Sequence, residues 1–100
     1  MSQKSGTASG AGPRRFTEKQ GHYLAFIYVY SRMFRQAPAE ADMQRHFLVT
    51  PPSVHQMVLT LERAGLIRRQ PGAARSIEVL VPPQDLPIAE WLNSNPSNPL

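Results

Sequence analysis

The spacing of apolar and polar positions divides the chain into successive elements. From Thr17, the apolar residues Tyr23, Leu24, Ile27, Tyr30, Met33 and Phe34 recur at steps of three and four. That period predicts one wide buried helix face, running to about Arg35, as the spine of the core. Thr17 and Gln20 stand at capping-box spacing at its start. Gln36-Ala37-Pro38 breaks the helix, because proline disfavours helical geometry at the residue before it. A shorter helix is predicted from about Ala39, with Met43 and Phe47 four apart and facing the core. Its acids Glu40 and Asp42 fall in the first turn, where the helix dipole favours negative charge. Leu48-Val49 reads as a tight apolar turn.

The segment TPPSVHQMVLTLERAGL, Thr50 to Leu66, predicts a third helix with both ends specified. The Thr50 hydroxyl suits the N-cap, and Pro51 occupies the first helical position, where its missing N–H costs nothing. Val54, Met57 or Val58, and Leu61 form an apolar stripe, and Gly65 supplies a left-handed stop. Pro52, Ser53, His55, Gln56, Leu59, Thr60 and Arg63 are left mostly off that stripe. Ser, His and Gln can exchange hydrogen bonds with base edges and arginine can meet a phosphate, so this face suits a DNA major groove. A merely solvated helix surface would carry the same residues.

After Gly65 the period changes. Leu66 to Gln70 reads as a strand, Pro71 to Arg75 as a turn, and Ser76 to Val81 as a second strand rich in β-branched residues. Arg68, Arg69 and Arg75 gather around this hairpin with Glu78 expected as the only nearby acid, an arrangement that suits straddling a phosphate backbone or reaching into a minor groove. Two helices joined by a short turn and followed by a hairpin give the expected fold: mainly α with a small β-hairpin, a winged helix-turn-helix of three helices plus a two-stranded antiparallel wing.

Charge changes this picture more through its distribution than through its net value of +4. Residues 1–15 carry Lys4, Arg14 and Arg15 with no acid, residues 16–81 carry eight basic side chains against five acids, and residues 82–100 carry only Asp85 and Glu90. The expected organisation is a flexible basic tail over 1–15, the winged domain over 16–81, and a C-terminal extension over 82–100. In that extension Leu86, Ile88, Trp91 and Leu92 could pack as a short amphipathic helix, with a frayed end beyond Asn93. A basic arm on a mildly basic domain favours a polyanionic partner, since each phosphate neutralised releases counterions. A solubilising tail would look similar.

Several classes are set aside by what the sequence lacks. With no cysteine there is neither a disulfide framework nor a cysteine-ligated metal site. The opening MSQKSGTASGAG has no apolar signal run and the longest apolar stretch, Tyr23 to Tyr30, is far too short to span a bilayer, so a soluble, cytoplasmic protein is expected. His22, His46 and His55 show no ligand spacing, and no phosphate loop or Ser/His/Asp arrangement emerges. No catalytic residue, metal, cofactor or small-molecule substrate is expected.

The motifs together carry a family resemblance. FTEKQ opening the first helix, a proline before the second, TPPSV opening the third, then LERAGLIRR and PGAARSIEVL, resemble the N-terminal DNA-binding domain of LexA-type repressors over about residues 16–81. The GLI and PGAAR-S-I segments are the more specific part; LERAGLI recurs widely in winged-helix regulators, MarR-like ones included. The resemblance implies that the third helix reads bases while the wing contacts backbone, with Thr50, Pro52, Ser53, His55 and Gln56 as reading positions. Where that family presents Asn and a pair of Glu, this chain has Pro52, His55 and Gln56, so a different operator is expected. Those repressors continue into a self-cleaving serine/lysine protease domain that also dimerises, and the chain stops soon after the wing, so no autoproteolysis is expected. The expected function is a sequence-specific transcriptional regulator on double-stranded DNA, acting as a homodimer or with a partner protein, its contact set completed by Thr60, Arg63, Arg68, Arg69 and Arg75. A winged helix serving only as a protein-interaction module is the alternative, because fold alone does not decide function.

Overall fold

The computed structural model describes residues 15–89. Helix α1 spans Glu18–Phe34, α2 Glu40–Phe47 and α3 Pro51–Arg63; strands β1, Ile67–Arg68, and β2, Glu78–Val79, pair antiparallel, and a short 3-10 turn follows at Pro83–Asp85. The N-terminal tail over 1–14, with Lys4 and Arg14, and the residues from 90 on, with Trp91 and Leu92, lie outside the described residues. Among the described residues no helix is long and apolar enough to cross a membrane.

The capping box at the start of α1 is formed on both sides. The Gln20 amide donates to Thr17 Oγ1 at 3.1 Å, and the Thr17 amide donates to Gln20 Oε1 at 2.9 Å. The predicted buried face holds for Tyr23, Leu24 and Ile27, with Phe26 joining them. It fails in the last turn, where Met33 is 67% and Phe34 55% exposed. The reason is the length of the partner helix. α2 lies antiparallel beside α1, with Tyr23 stacked on Phe47 (ring centroids 4.1 Å apart), Phe26 on His46 (4.3 Å) and the Tyr30 hydroxyl donating to Asp42 at 3.3 Å. Eight residues of α2 reach back only to Tyr30, so the end of α1 projects past its cover.

Thr50 caps α3 through a hydrogen bond from the Ser53 amide at 3.3 Å. Val54, Val58 and Leu61 are fully buried, and Met57 packs at the edge of the core. At the other end Gly65 adopts φ +76°. Its amide donates to the Glu62 carbonyl and the Leu66 amide to the Leu61 carbonyl, both at 3.0 Å, which is the paired closure of a Schellman cap. That stop delivers Leu66 and Ile67 directly into the core. Leu48 lies in the expected tight turn, where it adopts φ +57°, and it is 82% exposed because the left-handed C-cap of α2 turns it outward.

The wing is shorter in its ladder than its sequence suggests. Only Ile67 with Val79 and Arg68 with Glu78 pair, extended by the Leu80 amide donating to the Leu66 carbonyl at 2.9 Å. Beyond Arg68 a side chain replaces the backbone partner: the Gln70 amide donates to Ser76 Oγ at 2.9 Å, and that hydroxyl lies 3.0 Å from the Ala73 carbonyl. After β2 the chain returns along α1. Val81 and Leu86 are buried, Ile88 packs on the core, and Pro87 sits against Gly21. A Cβ at Gly21 would stand 3.0 Å from Phe16 Cε1 and 3.1 Å from Pro87 Cγ, so only glycine lets both rings close over the helix.

Candidate nucleic-acid interface

On α3 the structure sorts positions that the apolar pattern left equivalent. Pro52, Gln56, Leu59 and Arg63 follow at steps of four, three and four, which places them on one line opposite the buried stripe. Pro52, Gln56 and Arg63 are exposed, and neither the Gln56 amide group nor the Arg63 guanidinium has a hydrogen-bond or ion-pair partner among the described residues. This is the free centre of the outer face. Leu59, half-buried on the same line, was not selected by polarity alone.

The flanking positions are partly engaged. His55 Nδ1 lies 3.3 Å from Glu40 Oε2, which ties the start of α3 to the first residue of α2. The Ser53 and Thr50 hydroxyls are 2.9 Å apart and share one hydrogen bond at the N-cap. Thr60 turns back on its own helix, donating to the Gln56 carbonyl at 2.8 Å. Of the expected reading positions, Gln56 is therefore the one with a full, uncommitted donor and acceptor set, and Arg63 the uncommitted cation.

The wing arginines are brought to one hairpin but each meets a carboxylate. Arg68 pairs with Glu78 across the ladder at 2.8 Å, both side chains remaining well exposed. Arg69 turns toward α3 and meets Glu62 at 3.1 Å. Arg75 Nη1 reaches Asp42 Oδ2 at 3.0 Å, with the Tyr30 hydroxyl and the Ala37 carbonyl each at 3.3 Å. The expectation that Glu78 is the only nearby acid is thus corrected: Glu62 of α3 and Asp42 of α2 also reach these arginines.

Asp42 is the hub of this region. Besides Arg75 and Tyr30 it accepts the Ala39 amide at 2.8 Å, half a capping box for α2, and it pairs with Arg45. Partial burial pushes its carboxyl upward. The Ala39 amide, Arg75, Arg45 and Tyr30 outweigh that, and hold it below the ordinary carboxylate range.

Cations without an acid partner among the described residues lie elsewhere. Lys19 sits one turn before Tyr23 on the same side of α1, at the end that meets Phe47 and the turn into α3. Arg35 caps the opposite end. Neither is marked by any local motif; only the antiparallel seating of α2 on α1 shows which end of α1 adjoins the third helix.

Three helices with a two-stranded antiparallel wing after the third define a winged helix-turn-helix. No protein-family model matches the chain. Among curated proteins it is similar to the LexA repressor of Thermosipho melanesiensis, 37% identical over 67 residues, 67% of this chain and 34% of that protein. It is also similar to the LexA repressor of Thermosipho africanus, 35% identical over 75 residues (75% of this chain, 38% of that protein), and to that of Verrucomicrobium spinosum, 37% identical over 62 residues (61% and 31%). The resemblance carried by TPPSV and PGAARSIEVL therefore extends across most of the winged domain. The chain spans about a third of the length of the curated relatives it matches.

Proposed function

We propose that this domain is a sequence-specific, double-stranded DNA-binding transcriptional regulator of the repressor type. The observation that carries the reading is the free stripe Pro52–Gln56–Arg63 on the third helix of a winged helix-turn-helix whose sequence is similar to LexA repressors. In this reading α3 enters the major groove. Gln56 reads a base edge at its centre, Pro52, Ser53 and His55 shape the N-terminal end of the contact, and Thr50 and Thr60 border it. Arg63 and the exposed Arg68 meet flanking phosphates, and Arg69 rests on Glu62 beside them. The protein acts in the cytoplasm, and it binds two half-sites as a homodimer, because one domain of this size makes a limited interface.

Selection of binding sites from random duplexes tests this directly. A palindromic consensus with a base preference lost on Gln56→Ala is the expected result. No detectable affinity for any duplex at low salt would reject the reading and leave a protein-interaction module.

A further inference from the structure

Resting on that reading, we infer that Arg75 and Asp42 form a latch that sets the wing's angle to the recognition helix, so that both are positioning residues for DNA binding rather than phosphate contacts. Ile77 and Val79 pack on the core and Arg69 meets Glu62, which hold the base of the wing, but toward the loop its attachments thin out. Its ladder is two residue pairs long, residues 70–75 of its loop are all exposed, and the half-buried Ser76 that follows closes the loop only on itself. Two clefts flank it. One, of about 650 Å³, separates β2 from the C-terminal half of α1 and is lined by Tyr28, Arg32, Arg35 and Val79; the other, of about 250 Å³, separates the loop from Pro38, Ala39 and Glu40. Arg75 lines both, and its guanidinium is the bridge between them, reaching α1 at Tyr30, the α1–α2 turn at Ala37 and α2 at Asp42. A non-glycine residue held at φ +56° is unfavourable for the chain, and the same three acceptors hold it there. Because Asp42 also completes the N-terminal turn of α2, and Glu40 in that turn meets His55 of α3, the latch joins the wing to the helix pair that carries the reading face.

The two readings of Arg75 predict opposite signs for Asp42→Asn. If Arg75 contacts phosphate, removing the acid that competes for it tightens DNA binding. If Arg75 is a latch, the substitution weakens binding to a selected site although a negative charge is lost. Arg75→Gly is the second variant: it relieves the left-handed backbone while removing the guanidinium, so the domain stays folded.

The chain has no cysteine, so paired spin labels at Gln70→Cys and Ala41→Cys, both exposed, read the wing's distance from α2 without DNA. The distance distribution is expected to be narrow in the parent and at least about twice as wide in Asp42→Asn and in Arg75→Gly, with no further widening when the two are combined. On DNA, each variant is expected to lose about ten-fold in the ratio of affinity for a selected duplex over a mixed-sequence duplex, with the salt slope unchanged and partial rescue by Arg75→Lys. An unchanged distance distribution overturns the latch. Widening with an unchanged ratio, tighter binding by Asp42→Asn, or a salt slope lowered by about one unit in Arg75→Gly overturns the positioning role. If the parent binds no duplex, the proposed function fails, while the label measurement still decides the latch.

Discussion

The outer face of α3 and the wing differ in what their polar groups are free to do. α3 carries few charges, yet the side chains of Gln56 and, at its last position, Arg63 have no partner among the described residues. The wing carries three arginines, and every one is matched by a carboxylate from β2, α3 or α2. Counting charges along the chain favours the wing as the contact surface, whereas counting unpaired donors favours the helix. An arginine paired with a carboxylate has its charge offset and part of its donor fork occupied, so its gain from a phosphate is smaller than that of an unpaired cation.

The comparison depends on both regions sharing one core. Leu61 of α3 and Ile67 of β1 are both fully enclosed. Leu61→Ala should therefore cost about 2–5 kcal/mol and unfold helix and wing together, as a single transition in urea followed by both far-UV dichroism and Tyr fluorescence. Two separate transitions would break the shared-core picture. Next in size are the contacts themselves. Gln56→Ala should relax discrimination at one base pair by about 1–3 kcal/mol with little change in salt slope, and Arg63→Ala should weaken binding to all duplexes and lower the slope by about one unit. An exchange of these two patterns would reverse their assignments.

Removing the cap of the recognition helix by Thr50→Ala should cost about 1 kcal/mol of stability, read as a lower urea midpoint at unchanged m-value. The acid response should be more gradual. Burial against Phe26 lowers the pKa of His46, so the unfolded chain binds its proton first; that part of the stability is present above about pH 6.5 and is lost as pH falls through the folded value. Asp42 has its folded value depressed too, so its share is present above about pH 4 and disappears at still lower pH. Asp42→Asn should remove the second loss and leave the first. Smallest is Glu78→Gln. This exposed pair should be worth under about 0.5 kcal/mol in urea unfolding, but freeing Arg68 should tighten binding to a mixed-sequence duplex about two-fold at low salt. No change there would place Arg68 off the interface.

Much of the fold was legible because it is specified locally. The Thr17/Gln20 box, the Thr50 cap with Pro51, and Gly65 each act within a few residues, and all three are present in the fold. The errors share one origin. Met33 and Phe34 match the apolar period but stay largely exposed, Phe34 touching the Tyr30 ring of its own helix, because the length of α2 and not the sequence of α1 sets how far the core extends. Leu48 does sit in a tight turn, and only the left-handed backbone at the end of α2 shows that it points to solvent. Wing strands of five and six residues shrank to two because the Ser76 hydroxyl, not a backbone group, meets the Gln70 amide.

The candidate site divides in the same way. Sequence by itself determined that a capped, amphipathic third helix precedes a hairpin rich in arginine, since caps, period and turn residues are properties of neighbouring positions. Only the tertiary structure decided which of those polar groups are available. Glu62 lies seven residues from Arg69, and Asp42 thirty-three from Arg75. An ion pair forms when two groups meet in space, and the packing of α2 and α3 against the wing brings these acids to the arginines that composition alone would leave free for a polyanion.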